Sequence, residues 1–178
     1  QTRMLRWAQQ TPDGDAAIFG AVGYLYRSEI KAGKADKPRR LTSQDDHFEY
    51  WPALSSDGES VVYVSWDDAN LGQVRIVDGS EGDSHSLVTT PGHYLQPSFS
   101  PDGRHVVYKK TTGGYLLSPL YSVEPGIYRV AVEGGQPVKS SDRGSDPQFS
   151  ADGQRILFTA GGEDGLELIS VDLNGHNP

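Results

Sequence analysis

The chain has no cysteine among its 178 residues, so disulfide cross-links and thiolate chemistry are excluded and the redox compartment is left undetermined. It also lacks a long apolar run. Nothing approaches the roughly 18 residues that a membrane-crossing helix needs, and no membrane insertion is expected. Helical patterning is equally scarce, because no window sustains apolar residues at i, i+3, i+4 and i+7. Basic residues are few, 16 against 24 acidic ones, for a net charge of −8. The short KPRR at 37–40 is the one cationic cluster, and it reads as a solvated strand edge guarded by cations. Nucleic acid binding rests on clustered positive charge, so nucleic acid is not an expected partner. No signal peptide is visible, and a chain opening at Gln1 is expected to be a processed protein or an excised fragment.

Catalytic signatures are missing too. The five histidines (His47, His85, His93, His105, His176) form neither a His-x-His pair nor an HExxH motif, and no GxSxG elbow occurs. No catalytic residue, cofactor or metal is assigned, and the chain itself is read as non-enzymatic.

What the chain does contain is a repeat. QPSFSPDGRHVVY from Gln96 has relatives in WPALSSDGESVVY from Trp51, DPQFSADGQRILF from Asp146 and a weaker AQQTPDGDAAIF from Ala8. In each, an extended segment runs into an Asp-Gly turn and resumes with β-branched or aromatic residues, the pattern of a β-hairpin. Gly14, Gly58, Gly103 and Gly153 supply the positive φ of the turn, and Asp13, Asp57, Asp102 and Asp152 bond nearby backbone N–H groups to hold it. These residues are structural. One carboxylate per turn is too few for calcium. The first copy looks degenerate, since Gln10 and Thr11 replace the aromatic and the serine.

The turn glycines lie 44, 45 and 50 residues apart, the period of one β-propeller blade. After each turn strand comes a second amphipathic strand, starting near Tyr24, Gly72, Gly126 and Leu166. A fourth short one follows in three units, RRLTS, SLVTT and QPVKSS. The expected fold is all-β: a partial propeller of four-stranded antiparallel blades, about 3–45, 46–90, 91–141 and 142–178, with the last incomplete. Open blade edges and end faces lead us to expect a homo-oligomer when the chain is isolated.

FSPDGRHVVY and QFSADGQRILF resemble the repeats of TolB-type β-propellers, which occur in bacterial periplasmic proteins; this implies an exported location. MLRWAQQTPDG, RRLTSQDDHFEYWPALSSDG, PGHYLQPSFSPDG, GGYLLSPLYSVEPGIYRV and SVDLNGH resemble the propeller region ahead of a metal-dependent amidohydrolase domain in large bacterial exported proteins. That domain's metal ligands are absent here, so the resemblance implies no hydrolase activity for this chain.

In a blade, the Asp-Gly turns collect on one face and the entry loops and second hairpins on the other, where function is expected. That face should carry Asp45, Asp46 and His47; Trp66, Asp67 and Asp68; Gly92, His93 and Tyr94; and Asp142 and Arg143. The extra length of the third unit lies in TTGGYLLSPLYSVEP, whose Tyr115, Leu116, Leu117, Pro119, Leu120 and Tyr121 are expected to fold over the blade or plug the channel mouth, with docking of a neighbouring domain or protein as the alternative. His47 and His93 hold matching positions in successive blades. The alternatives are a divalent-metal site with Asp45 and Asp46 and rings that cap loop carbonyls, and the capping reading is preferred. Trp51 and Tyr94 read as packing or rim aromatics rather than sugar platforms. The leading expectation is a non-catalytic module that docks a protein partner or a fused domain. The alternatives are an accessory region of an amidohydrolase whose active site lies elsewhere, and a propeller binding a small ligand in its channel.

Overall fold

The computed structural model describes residues 4–112 and 122–177, and among these all regular structure is β. The first sheet contains β1 (Arg6–Gln10), β2 (Ala16–Ala21), β3 (Tyr24–Lys31), β4 (Lys34–Ala35) and β5 (Arg39–Arg40), with β5 pairing to β3. The second unit is β6 (Phe48–Leu54), β7 (Ser60–Asp67), β8 (Leu71–Asp78) and the start of β9 (His85–Phe99). The third is the end of β9, β10 (His105–Thr111), β11 (Gly126–Ala131) and β12 (Val138–Ser141). The last holds β13 (Ser145–Phe149), β14 (Arg155–Gly162) and β15 (Gly165–Asp172). Every strand pairing within the sheets is antiparallel.

The four Asp-Gly turns are built alike. Ser55 Oγ donates to Asp57 Oδ1 at 2.5 Å, the Glu59 N–H donates to the same oxygen at 2.9 Å, and the Ser60 N–H closes onto Ser55 Oγ at 2.9 Å. Ser100 with Asp102 and Ser150 with Asp152 repeat the geometry. Thr11 with Asp13 repeats it too, at 2.6 Å, so the copy that looked degenerate keeps the working hydroxyl. The turn glycines have φ between +69° and +80°, the left-handed region in which a Cβ is costly.

The second and third units share β9 and so form one seven-stranded sheet, and hydrophobic cores lie between successive units. Ile18, Leu25 and Leu41 meet Val61, Tyr63 and Val77; Val62, Val64 and Val74 meet Tyr94, Val106 and Tyr108; Val107 and Ile127 meet Ile156, Phe158 and Val171. Alternate residues of β7 therefore face opposite neighbours, and both of its faces are covered. This is why VVYV is an unbroken apolar block rather than an alternating one. At the end of the stack the pattern stops: Leu166 and Leu168 on β15 are 78% and 71% exposed.

Strand β9 departs from expectation. Gly92, His93 and Tyr94 form no entry loop but lie within one continuous strand, whose first part pairs with β8 (Gly92 opposite Gly72) and whose second part pairs with β10 (His93 opposite Thr111). The two glycines permit the crossing, because a Cβ on Gly72 would sit 2.4 Å from the Gly92 carbonyl oxygen.

Candidate functional site

On the face opposite the Asp-Gly turns, the residues before β6 and the β7–β8 hairpin converge on one cleft lined by Tyr24, Asp45, Asp46, His47, Phe48, Trp66, Asp67 and Asp68. Six of the residues expected on this face are thus brought together. Asp67 is shaped by its own hairpin: Oδ1 accepts the N–H groups of Ala69 at 2.9 Å and Asn70 at 2.6 Å. These bonds, with the Asn70 backbone foremost, hold its carboxyl below the usual range. Asp68 accepts the Trp66 indole N–H at 3.1 Å, and Asp45 pairs with Arg40 at 2.9 Å. Phe48 remains 49% exposed in the middle of this acidic rim.

Beneath the cleft runs a buried polar network that sequence reasoning missed. His47 is 6% exposed, with Nδ1 2.7 Å from Asp46 Oδ1 and Nε2 3.2 Å from Tyr63 Oη. Tyr63 donates to Ser84 Oγ at 2.6 Å, and Ser84 in turn meets Gln44 and Arg75. Glu49, 1% exposed, accepts from the Leu25 N–H and from Thr42, with Arg40 3.7 Å away. Burial, aided by the charge on Arg75, pushes the His47 pKa down; burial pushes Glu49 up and Tyr63 up to about 12. His47 therefore does not cap a loop carbonyl. Its ring belongs to side-chain partners because it stacks on Tyr63 beneath the loop surface.

Other expected residues fall elsewhere. His93 approaches the Thr112 carbonyl at 3.4 Å and meets the Trp66 ring at 5.8 Å, in a second cleft with Tyr50 and Trp51. His47 and His93 line different clefts, and among the described residues no group of three or more His, Asp or Glu is placed to hold a metal. Tyr94 is not a surface residue: it is 1% exposed, packs edge-on against Tyr108 and donates to the Thr90 carbonyl at 2.7 Å, because β9 turns it into the core. Arg143 bonds the Gly161 carbonyl at 2.8 Å and lines a separate groove with Lys139, Asp142 and Phe158. Arg40 is not a solvated edge guard. Its guanidinium lies 3.8 Å from the Tyr24 ring centroid and bonds Asp45, Thr42 and Gln44, because β5 places it at the boundary with the second sheet. Tyr115 and Tyr121 lie outside the described residues.

The first strands of all four units share a further feature. Trp7, Trp51, Gln96 and Asp146 have φ of 54°, 54°, 54° and 53°, and each opens a bulge in which two residues oppose one. The single residue opposite is always aromatic: Phe19, Tyr63, Tyr108 and Phe158. Pro52, Pro97 and Pro147 are accommodated as the second bulge residue because that position makes no ladder bond. A left-handed conformation costs an L-residue about 1 kcal/mol or more. The four bulges line a single cleft of about 270 Å³, which also includes Gln9, Ser98 and Gln148. The four first strands thus form the wall of an axial channel.

Solved structures share this architecture. TolB from Acinetobacter baumannii superposes with a TM-score of 0.65 at 18% identity, over 96% of this chain and 41% of that one. A putative TolB from Agrobacterium tumefaciens gives 0.62 at 18%, over 98% and 79%. An oligogalacturonate lyase from Vibrio parahaemolyticus gives 0.68 at 13%, over 93% and 49%. The chain is a partial β-propeller. It spans less than half the length of the Acinetobacter TolB. No family model and no curated protein matches the sequence.

Two parts of this propeller are not evident from the sequence. The channel bulges were signalled only by the Pro that follows Trp51, Gln96 and Asp146, which alone does not distinguish a bulge from an edge strand. The buried network left no periodic trace, since its members come from the loops and strands of two blades.

Proposed function

We propose that this propeller segment is a non-catalytic docking module that presents the cleft around Phe48 to a protein partner or a fused domain. The observation that carries this reading is a half-exposed aromatic ringed by four carboxylates, Asp45, Asp46, Asp67 and Asp68. With His47 held neutral by burial and only Arg40 paired among them, the rim keeps a net negative charge and suits a partner surface bearing Lys or Arg. The resemblance to propellers ahead of a metal-dependent amidohydrolase supports a fused catalytic domain as that partner. The TolB-type likeness supports an exported, periplasmic location.

The test uses the natural full-length polypeptide and cross-linking mass spectrometry. Zero-length carbodiimide cross-links from the rim carboxylates Asp45 and Asp46 to lysines of another domain or protein, reduced in Phe48→Ser and in Asp67→Asn with Asp68→Asn, are expected. Undiminished association in both variants overturns the reading. A second proposal concerns the isolated chain: exposed Leu166 and Leu168 favour pairing with a second copy through the end faces. Light scattering at low concentration should show a dimer, and a clean monomer contradicts this.

A further inference from the structure

We infer that the channel wall is a binding site for a neutral saccharide, seated on Trp51 and gripped by the Gln96–Asp146 pair. The argument starts from the repeat. All four blades keep the same left-handed bulge at the first position of the repeat, which in the first copy is Trp7, just ahead of Ala8, yet the residues placed there differ sharply: two tryptophans, a glutamine and an aspartate. Glycine would suit that backbone at all four positions. Because the fold holds the backbone constant, the side-chain chemistry at these positions is left to serve the cleft into which they converge.

That chemistry is divided in two. On one side Trp7 and Trp51 lie with ring centroids 5.1 Å apart and planes tilted by 37°, and Tyr50 meets Trp7 edge-on. Trp7 is backed by Gly20, where a Cβ would come within 2.9 Å of the indole. Trp51 is half-buried and lines both the channel cleft and the cleft beside it, so part of its ring surface is available to a ligand. On the other side, Gln96 donates through Nε2 to Asp146 Oδ1, and the Asp146 N–H donates to Gln96 Oε1 at 3.0 Å. This exchange fixes both side chains while using one carboxylate oxygen of Asp146 and one amide hydrogen of Gln96. A second acceptor and a second donor remain between them. Exposed Gln148 adds another amide to the same cleft.

An aromatic platform facing a fixed donor and acceptor matches a pyranose ring, which offers a C–H face to the indole and paired hydroxyls to carboxylate and amide. The cleft contains a single carboxylate, so it is a poor match for a cationic polypeptide; the carboxylates that suit one lie on the loop-face cleft instead.

The test titrates the 178-residue chain with cellobiose and with N,N′-diacetylchitobiose, reading tryptophan fluorescence and saturation-transfer NMR. At least one disaccharide should bind with a Kd on the order of a millimolar, with transfer to its ring C–H protons. Trp51→Gly, which relieves the left-handed backbone, and Asp146→Asn, which keeps the side-chain shape, should each weaken binding about tenfold or more, while Val138→Ser, at an exposed position on β12, leaves it unchanged. Thermal melting monitors the fold of each variant. If Trp51→Gly does not fold, Asp146→Asn and Gln96→Glu carry the test. The inference is overturned if neither disaccharide gives saturation transfer at about 10 mM, or if transfer persists undiminished in the folded channel variants. It is also overturned if a lysine-rich peptide binds with the same dependence on Trp51 and Asp146.

Discussion

Glu49 Oε2 accepts the backbone N–H of Leu25 at 2.6 Å, so a carboxylate on the first strand of one blade closes the backbone of the blade before it. The same side chain takes the Thr42 hydroxyl and lies near Arg40. Removing it strands a buried N–H, a hydroxyl and part of a guanidinium charge. Glu49→Ala should cost about 3 kcal/mol in urea unfolding, and Glu49→Gln, which keeps an acceptor for Leu25, about half of that.

The hairpin between β2 and β3 has a two-residue loop, Val22-Gly23, with φ of 53° and 82°. Positive φ at both central residues is the turn that Asn-Gly favours and a β-branched residue resists. Val22 is 71% exposed and contributes little packing. Val22→Asn should therefore stabilise the protein by about 1 kcal/mol, seen as a raised Tm.

Gly72→Ala acts in the opposite direction. Its Cβ would meet the Gly92 carbonyl oxygen at 2.4 Å, a backbone atom that cannot rotate away. A loss of about 2 kcal/mol or more is expected, accompanied by faster amide exchange at the β8–β9 boundary.

Acid should destabilise the fold in two stages. Burial depresses the pKa of His47, so as pH falls below 6.5 the unfolded chain takes up the proton first and stability declines. Glu49 works against this: its pKa is raised, the folded form protonates first, and it contributes a gain as pH falls toward 4.5. Below 3.8 the turn carboxylates Asp13, Asp57, Asp102 and Asp152 dominate. Their pKa values are held down by the hydroxyls of Thr11, Ser55, Ser100 and Ser150, and their contribution is lost as pH passes through the folded values. Urea midpoints measured across this range should flatten near pH 6.5 in His47→Gln and keep the lower step; an unaltered profile there excludes His47 as its source.

Much of this was legible in the residues. The Asp-Gly turns and the period of the repeat follow from local chemistry, since Gly58 and Asp57 shape their turn largely through neighbours within a few positions. Tyr94 shows the limit. In sequence it sits beside a Gly-His pair and looks like a loop residue, but β9 runs straight through and its pleat turns the ring inward. Arg40 shows the same limit in reverse: a cation in a basic tetrad became the partner of Tyr24, Asp45 and Gln44 once β5 placed it against the next blade.

By itself, then, the sequence determined the strand pattern, the turns and the blade as the repeating unit, because each depends on contacts within a few residues or on a period of two. Only the tertiary structure decided what the first residue of each repeat does. Trp7, Trp51, Gln96 and Asp146 are about 45 residues apart in the chain and are of three different residue types, and it is the stacking of blades around an axis that brings their four bulges to one wall.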